Sequence, residues 1–284
     1  MSSGQPKKIK LSDGSFMPLL GQGTFNLKVV TSGRSQEILE EAIDAGYRHL
    51  DTAIAYQTEV DVGNAVRSKI QQGVIKREDM FIVSKDVGDE LFPKKDGKTL
   101  TTDFDYVDVW KGMEVLKASG KVKSIGVSNF SIPQLERLLS VAEVPPVVNQ
   151  VELHPYLVQS DLIKYCKSKN IALTAYFPFG SPDKPKELHA EPRETDPGKL
   201  LEDPVVGKIA AKHKRTPAQV LLRYHIEQDI AVIPKGINSS QIQENIKVFD
   251  FSLDEEDMRV LKSLNRGWRG ATFEDMKTHR FYPF

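Results

Sequence analysis

The stretch GYRHLDTAIAYQTE at residues 46–59 decides how this chain folds. Upstream of it, Ile38, Leu39, Ala42 and Ile43 line one face of a helix, and Gly46 stops that helix because glycine readily takes the left-handed conformation of a helix end. His49 to Asp51 then reads as a short strand, and Val60 to Ile70 as the next helix. Helix, short strand and helix in immediate succession predict parallel strands with helices outside them. The strand ends on Asp51 and the loop beyond it carries Tyr56, so an acid and a phenol stand together where a parallel barrel assembles its chemistry.

The same rhythm runs outward in both directions. Lys8 to Leu11 and Phe16 to Pro18 flank Asp13-Gly14, a hairpin signal that predicts a cap on the barrel floor, and Leu19 to Gly23 reads as the first strand. Met80 to Ser84 is the third, and Ser124 to Ser128, Val147 to Val151, Ala172 to Phe177 and Ala231 to Pro234 follow. Ser131 with Gln134 and Thr216 with Gln219 fit capping boxes, the second with Pro217 at the first helical position, and Ser252 with Glu255 marks the last helix. Seven parallel strands result, one short of the eight that a closed (β/α)8 barrel requires.

The shortfall lies between Ser84 and Ser124. Residues 86–103 are polar and hold Pro93 and Gly97, which predicts a loop. Tyr106, Val109, Trp110, Met113 and Leu116 recur at helical spacing and predict a helix over 104–119. Residues 1–284 are therefore expected to form one α/β domain of (β/α)8 TIM-barrel type that lacks one helix-strand unit, with an N-terminal hairpin cap and a C-terminal aromatic loop. Either part of 86–110 substitutes as a strand, or a gap opens between the third strand and Ser124–Ser128.

Lys plus Arg equals Asp plus Glu at 39 each, which gives no basic footprint for nucleic acid and no polybasic patch for a membrane. The single Cys166 has no disulfide partner within the chain and reads as a small core residue. MSSGQPKKIKL lacks the apolar stretch of a secretory signal, and no spacing of His, Cys and carboxylates suits a metal. A cytoplasmic monomer acting on a small molecule is the expectation.

Further strings narrow the class: FIVSK ending at Lys85, GVSNF at 126–130, NQVELHPY at 149–156, TAYFPFGS at 174–181 and VIPKG at 232–236. With the stretch at 46–59, they resemble the aldo-keto reductase superfamily over nearly the whole chain. The resemblance implies NADP(H)-dependent reduction of aldehydes or ketones to alcohols, with Tyr56 as proton donor and Lys85 and Asp51 as its support. A neighbouring ammonium lowers the pKa of a phenol, and an adjacent carboxylate keeps that ammonium charged. The plain alternative is a structural ion pair with Tyr56 as loop packing.

The resemblance further implies that Ser128, Asn129 and Gln150 surround the nicotinamide carboxamide and that Tyr176 stacks on the ring. An amide needs both donors and acceptors, and a flat ring a flat partner. Thr24, Asp51 and Ser181 join the cofactor contacts, while Phe25 and Tyr56 border the substrate. Lys235, Gly236, Asn238, Gln241, Glu244 and Asn245 match the segment that holds the adenosine phosphate and adenine. Lys235 favours NADP over NAD as a point charge for a 2′-phosphate, but Gln241 stands where many members carry an Arg, and Phe177 replaces a small polar residue. GQG at 21–23 lacks the third glycine and the immediate helix of a Rossmann fingerprint.

One departure is large. After Lys85 the family pattern runs through a helix and a strand to a histidine that binds the substrate carbonyl, and that unit is missing here. His49 reads as a packed strand residue, His154 lies on another side of the barrel, and His189, His213, His225 and His279 stand in loops or helices. Three catalytic roles are carried over and the fourth is left empty, so impaired carbonyl reduction is expected. The alternative is a non-enzymatic or inactive NADP-binding isoform.

Overall fold

The structure is a computed structural model that describes residues 7–85, 93–95, 98–180 and 196–284. Strands β1 (Lys8–Lys10) and β2 (Phe16–Pro18) form the antiparallel hairpin expected at Asp13-Gly14. Met17 of this hairpin is buried and meets Thr174 of the barrel, while the Pro18 carbonyl lies 3.1 Å from His49 Nδ1, so the hairpin plugs the barrel floor. Then follow β3 (Gln22–Gly23), α1 (Leu27–Val30), α2 (Ser35–Ala45), β4 (His49–Asp51), α3 (Glu59–Gln71) and β5 (Phe81–Val83). Gly46 ends α2 at φ 108°, where its N–H reaches the carbonyls of Ala42 and Ile43.

Beyond β5 come a small antiparallel hairpin, β6 (Lys94–Lys95) with β7 (Lys98–Thr99), and α4 (Tyr106–Ala118). The rest is β8 (Val127–Ser128), α5 (Ile132–Leu139), β9 (Val148–Glu152), α6 (Ser160–Ser168), β10 (Ala172–Tyr176), α7 (Pro204–His213), α8 (Pro217–Ile226), β11 (Ala231–Val232), α9 (Ser239–Ile246) and α10 (Glu255–Ser263). Strand order is β8-β9-β10-β11 in one sheet and β3-β4-β5 in the other, every pairing parallel. The two sheets join where Gly21 N–H donates to Val232 O at 2.9 Å and Val232 N–H to Leu19 O at 2.8 Å. Gly21 is required there, since a Cβ would stand 2.8 Å from His49 Cγ.

The described residues form a seven-stranded parallel arc. Among the described residues no strand pairs with the outer edge of β5 or β8, and the described arc is open between them. Lys94–Lys95 and Lys98–Thr99, read from sequence as loop, pair as strands β6 and β7, yet they stay out of the parallel sheet. The segment after it meets the C-terminal tail: Thr99 Oγ1 donates to Asp275, Thr102 O faces His279 Nε2 at 2.9 Å, and Arg280 donates to Asp103 O. One helix start also differs from expectation. Asp254, not Ser252, caps α10, because its carboxylate accepts the Asp257 N–H at 2.8 Å and Asp257 reciprocates.

The main core fills the arc and the space between strands and helices. A second cluster joins α7, α8 and α10, and a third centres on Trp110, Ile125 and Leu138, where α4 packs on β8 and α5. Cys166 is fully buried in the main core, and burial pushes its thiol up to about 11. Among the described residues no helix is long and apolar enough to cross a membrane.

Candidate active site

Asp51 ends β4 and Lys85 stands two residues beyond β5, its neighbour in the sheet, so register alone brings their side chains together. Lys85 Nζ lies 2.9 Å from each carboxylate oxygen of Asp51, and Gln150 Nε2 donates to Asp51 Oδ2 at 2.8 Å. Lys85 Nζ is 5.6 Å from the centre of the Tyr56 ring. Burial opposes the charged ammonium, but Asp51 and Tyr56 outweigh it, so Lys85 titrates above its ordinary value. Tyr56 departs from expectation: burial raises its pKa more than Lys85 lowers it, and the phenol stays protonated beyond its usual range.

The loop carrying Tyr56 is pinned by hydroxyls. Thr58 Oγ1, at the cap of α3, lies 2.8 Å from Thr24 Oγ1 and 2.9 Å from Thr52 Oγ1, all three being buried. Thr24 thus turns its hydroxyl toward α3. Phe25 stands edge-on to Tyr56 at 5.2 Å and 5.9 Å from Phe177, which in turn meets Tyr176 at 5.0 Å. Sequence reasoning had Phe177 only as a departure from the family; its position makes it part of an aromatic wall.

On the other side of Asp51, Ser128 Oγ donates to Gln150 O at 3.0 Å and the Tyr176 hydroxyl to Asn129 Oδ1 at 2.8 Å. Ser128, Asn129, Gln150 and Tyr176 therefore form one connected group. The bond from Tyr176 leaves the Asn129 amide nitrogen to donate, and the bond to Asp51 leaves the Gln150 carbonyl to accept, a donor and acceptor pair that suits a carboxamide. This donor set fits a nicotinamide. Ser181 lies outside the described residues.

The second expected cluster stands apart, around the start of α9. Gly236 is held by Gln22, whose Nε2 donates to Gly236 O at 2.9 Å and whose Oε1 accepts the Gly236 N–H at 3.3 Å. Asn238 caps α9 by accepting the Gln241 N–H at 3.0 Å, and Gln241 folds its Oε1 back onto the Ile237 N–H at 3.0 Å. Glu244 accepts from Thr216 Oγ1 at 2.8 Å, and Asn245 is buried. Lys235 directly precedes this segment. A helix start beside a lysine fits a phosphate-bearing cofactor end.

No described histidine touches Tyr56. His49 sits under the barrel on Pro18 O, His154 lies 2.8 Å from Glu152, His213 lies 2.6 Å from Asp257, His225 is buried against α8 neighbours, and His279 faces Thr102. His189 lies outside the described residues. Sequence reasoning missed Glu152: fully buried, it accepts the Gly270 N–H at 2.6 Å, the Ala271 N–H at 2.8 Å and the His154 contact, fastening the tail to β9. An acid closing a strand that is buried along most of its length was the available signal. These bonds overcome burial and hold its carboxyl below the usual range.

An acid and an ammonium at adjacent strand ends, a phenol in the loop just beyond, and a cluster of amide side chains beside them fit an oxidoreductase of carbonyl groups built on a parallel barrel. The sequence profile of the aldo/keto reductase family matches this chain in two overlapping pieces, residues 19–102 and 93–266. Prostaglandin-E(2) 9-reductase of Oryctolagus cuniculus is 41% identical, the alignment covering 98% of this chain and 97% of that protein. Prostaglandin F synthase 1 of Bos taurus is 39% identical over 98% and 97%, and estradiol 17 beta-dehydrogenase 5 of Mus musculus is 38% identical over 97% and 97%. The chain belongs to the aldo/keto reductase family, whose members work with a nicotinamide cofactor. The first alignment runs over 321 positions against 284 residues here, so the relative carries residues this chain lacks. The two profile pieces overlap at 93–102, between β5 and α4.

Proposed function

We propose that this chain reduces aldehydes or ketones to alcohols with NADP(H), using Tyr56 as proton donor. The observation that carries the reading is the Asp51–Lys85 pair beside Tyr56, set against the amide-binding group of Ser128, Asn129 and Gln150. When bound, the nicotinamide supplies hydride to the carbonyl carbon. Tyr56 gives its hydroxyl proton to the oxygen that gains charge, and Lys85 stabilises the phenolate left behind. Asp51, fixed by Gln150, keeps Lys85 charged. Phe25 and Phe177 shield this proton from water, and Tyr176 offers its face to the cofactor ring. Lys235, Gly236, Asn238, Gln241, Glu244 and Asn245 would hold the adenosine end, with Thr24 and Ser181 between. We also read residues 1–284 as one domain acting as a cytoplasmic monomer on a small carbonyl substrate.

A second reading, an inactive NADP-binding isoform, is favoured by the open arc and by the lack of a described histidine beside Tyr56. Oxidation of NADPH with a panel of aldehydes and ketones separates the two. Slow turnover that falls on the order of 10²-fold or more in Tyr56→Phe supports the first. Turnover that survives the substitution rejects Tyr56 as donor, whereas cofactor binding without turnover supports the second.

A further inference from the structure

Glu41 is a half-buried acid of α2, the helix that packs against α9. Its Oε2 accepts a hydrogen bond from Ser239 Oγ at 2.6 Å, and Ser239 is the first residue of α9. The carboxylate is thereby fixed at the end of the helix that begins three residues after Gly236. Within this segment Gly236 and Gln241 carry no charge to answer it. Gln241 is uncharged and turned onto the Ile237 N–H, and Gly236 has no side chain. Arg34, just before α2, donates to Glu37 at 2.7 Å and interacts with Glu41 only as a weaker, through-space charge. Lys235 is the cation of the 235–245 segment, and Glu41 is the carboxylate held at the start of α9 through Ser239.

We propose that Glu41 sets cofactor discrimination at the adenosine end, by disfavouring a ribose 2′-phosphate and accommodating a free 2′-hydroxyl. The inference rests on the reading that residues 235–245 hold that end of the cofactor. A phosphate dianion gains from Lys235 and loses to Glu41, whereas a ribose diol has no charge to lose and offers hydroxyl donors that a carboxylate accepts. The preference for NADPH over NADH is therefore weak in this chain.

The test is direct binding of NADPH and NADH, by calorimetric titration at low and high salt, to the full chain and to Glu41→Gln, Ser239→Ala and Lys235→Ala. Glu41→Gln keeps an acceptor for Ser239 and removes only the charge. It is expected to tighten NADPH on the order of five-fold, leave NADH unchanged or slightly weaker, and lose this effect in high salt, where exposed charges are screened. Ser239→Ala releases the carboxylate and should shift the ratio in the same direction by less. An unchanged NADPH-to-NADH ratio in Glu41→Gln, or equal shifts for both as a purely structural role of Glu41 at α9 would give, overturns the inference. Lys235→Ala separates the layers: if it weakens NADPH selectively while Glu41→Gln does nothing, the site reading stands and the role of Glu41 falls. If neither dinucleotide binds the unmodified chain, both fall together.

Discussion

Strands β9 and β10 pair over five residues and have a neighbour on each side, and four of the five β9 residues are buried. Among the described residues, strands β5 and β8 each have one neighbour, and none of their residues is fully buried. Phe81, Ile82 and Val83 are as apolar as Val148 and Val151, so composition does not explain the contrast. What differs is the neighbour: a strand flanked on both sides is sealed by pairing and by the helices over it, while a terminal strand leaves every second backbone group without a sheet partner. The chemistry sits astride this difference, with Lys85 just past the exposed edge and Gln150 in the sealed half.

Restoring the eighth strand breaks the contrast most drastically. Inserting a helix-strand unit that ends in histidine after Lys85 should raise carbonyl reduction on the order of 10²-fold, because the substrate oxygen regains a positioned donor, and should raise the melting temperature as well. Steady-state kinetics and thermal melts of the two chains check it. An unchanged rate would mean that another group already does the work of the histidine.

The halves should also differ in their tolerance of truncation. Leu173→Ala in sealed β10 is expected to cost about 2–5 kcal/mol, and Ile82→Ala at the open edge clearly less, as read by urea unfolding. Glu152→Ala should cost about 3 kcal/mol and free the tail to proteolysis, since it leaves the Gly270 and Ala271 N–H groups buried without an acceptor. The folded pKa of Glu152 lies below the ordinary 4.5, so its contribution is present above that pH and is lost as the pH falls through the folded value. Equal costs at Leu173 and Ile82 would say that the edge is covered.

The smallest effect concerns pH. The donor must carry its proton, and both Tyr56 and Lys85 titrate above their ordinary values. Reduction should therefore hold steady through neutral pH and fall only as the pH rises past the usual tyrosine value of 10. A fall near pH 8 would show that the ammonium outweighs burial after all.

Much of this was legible in advance because it is local. The strand His49–Asp51, the Gly46 stop and the boxes at Ser131 and Thr216 depend on neighbours a few residues away, and each forms as the sequence indicates. The missing strand was readable by counting. The β6–β7 hairpin was not expected, although Asp96-Gly97 gives the same signal as Asp13-Gly14, because surrounding charges and Pro93 spoke for a loop. Asp254 outcompeted Ser252 as a cap because its partner Asp257 can answer it. The bond from Glu152 to the tail spans 118 residues, and the upward shift of Tyr56 depends on how deeply its loop is packed. Neither leaves a mark on local spacing.

The open edge itself can be read one amide at a time. Residues 81 and 83 of β5 exchange bonds with β4, as Phe81 N–H with Arg48 O and Val83 O with Thr52 N–H show, so Ile82 and Ser84 point the other way. Asn129 N–H and Ile125 O likewise bond β9, which turns Gly126 and Ser128 toward the gap. Amide hydrogen exchange resolved to single residues should find Ile82, Ser84, Gly126 and Ser128 exchanging orders of magnitude faster than Val151, Leu173 and Ala175 in the sealed strands. Equal protection on both sides would contradict the open arc and show that the barrel is closed by a strand pairing with both edges.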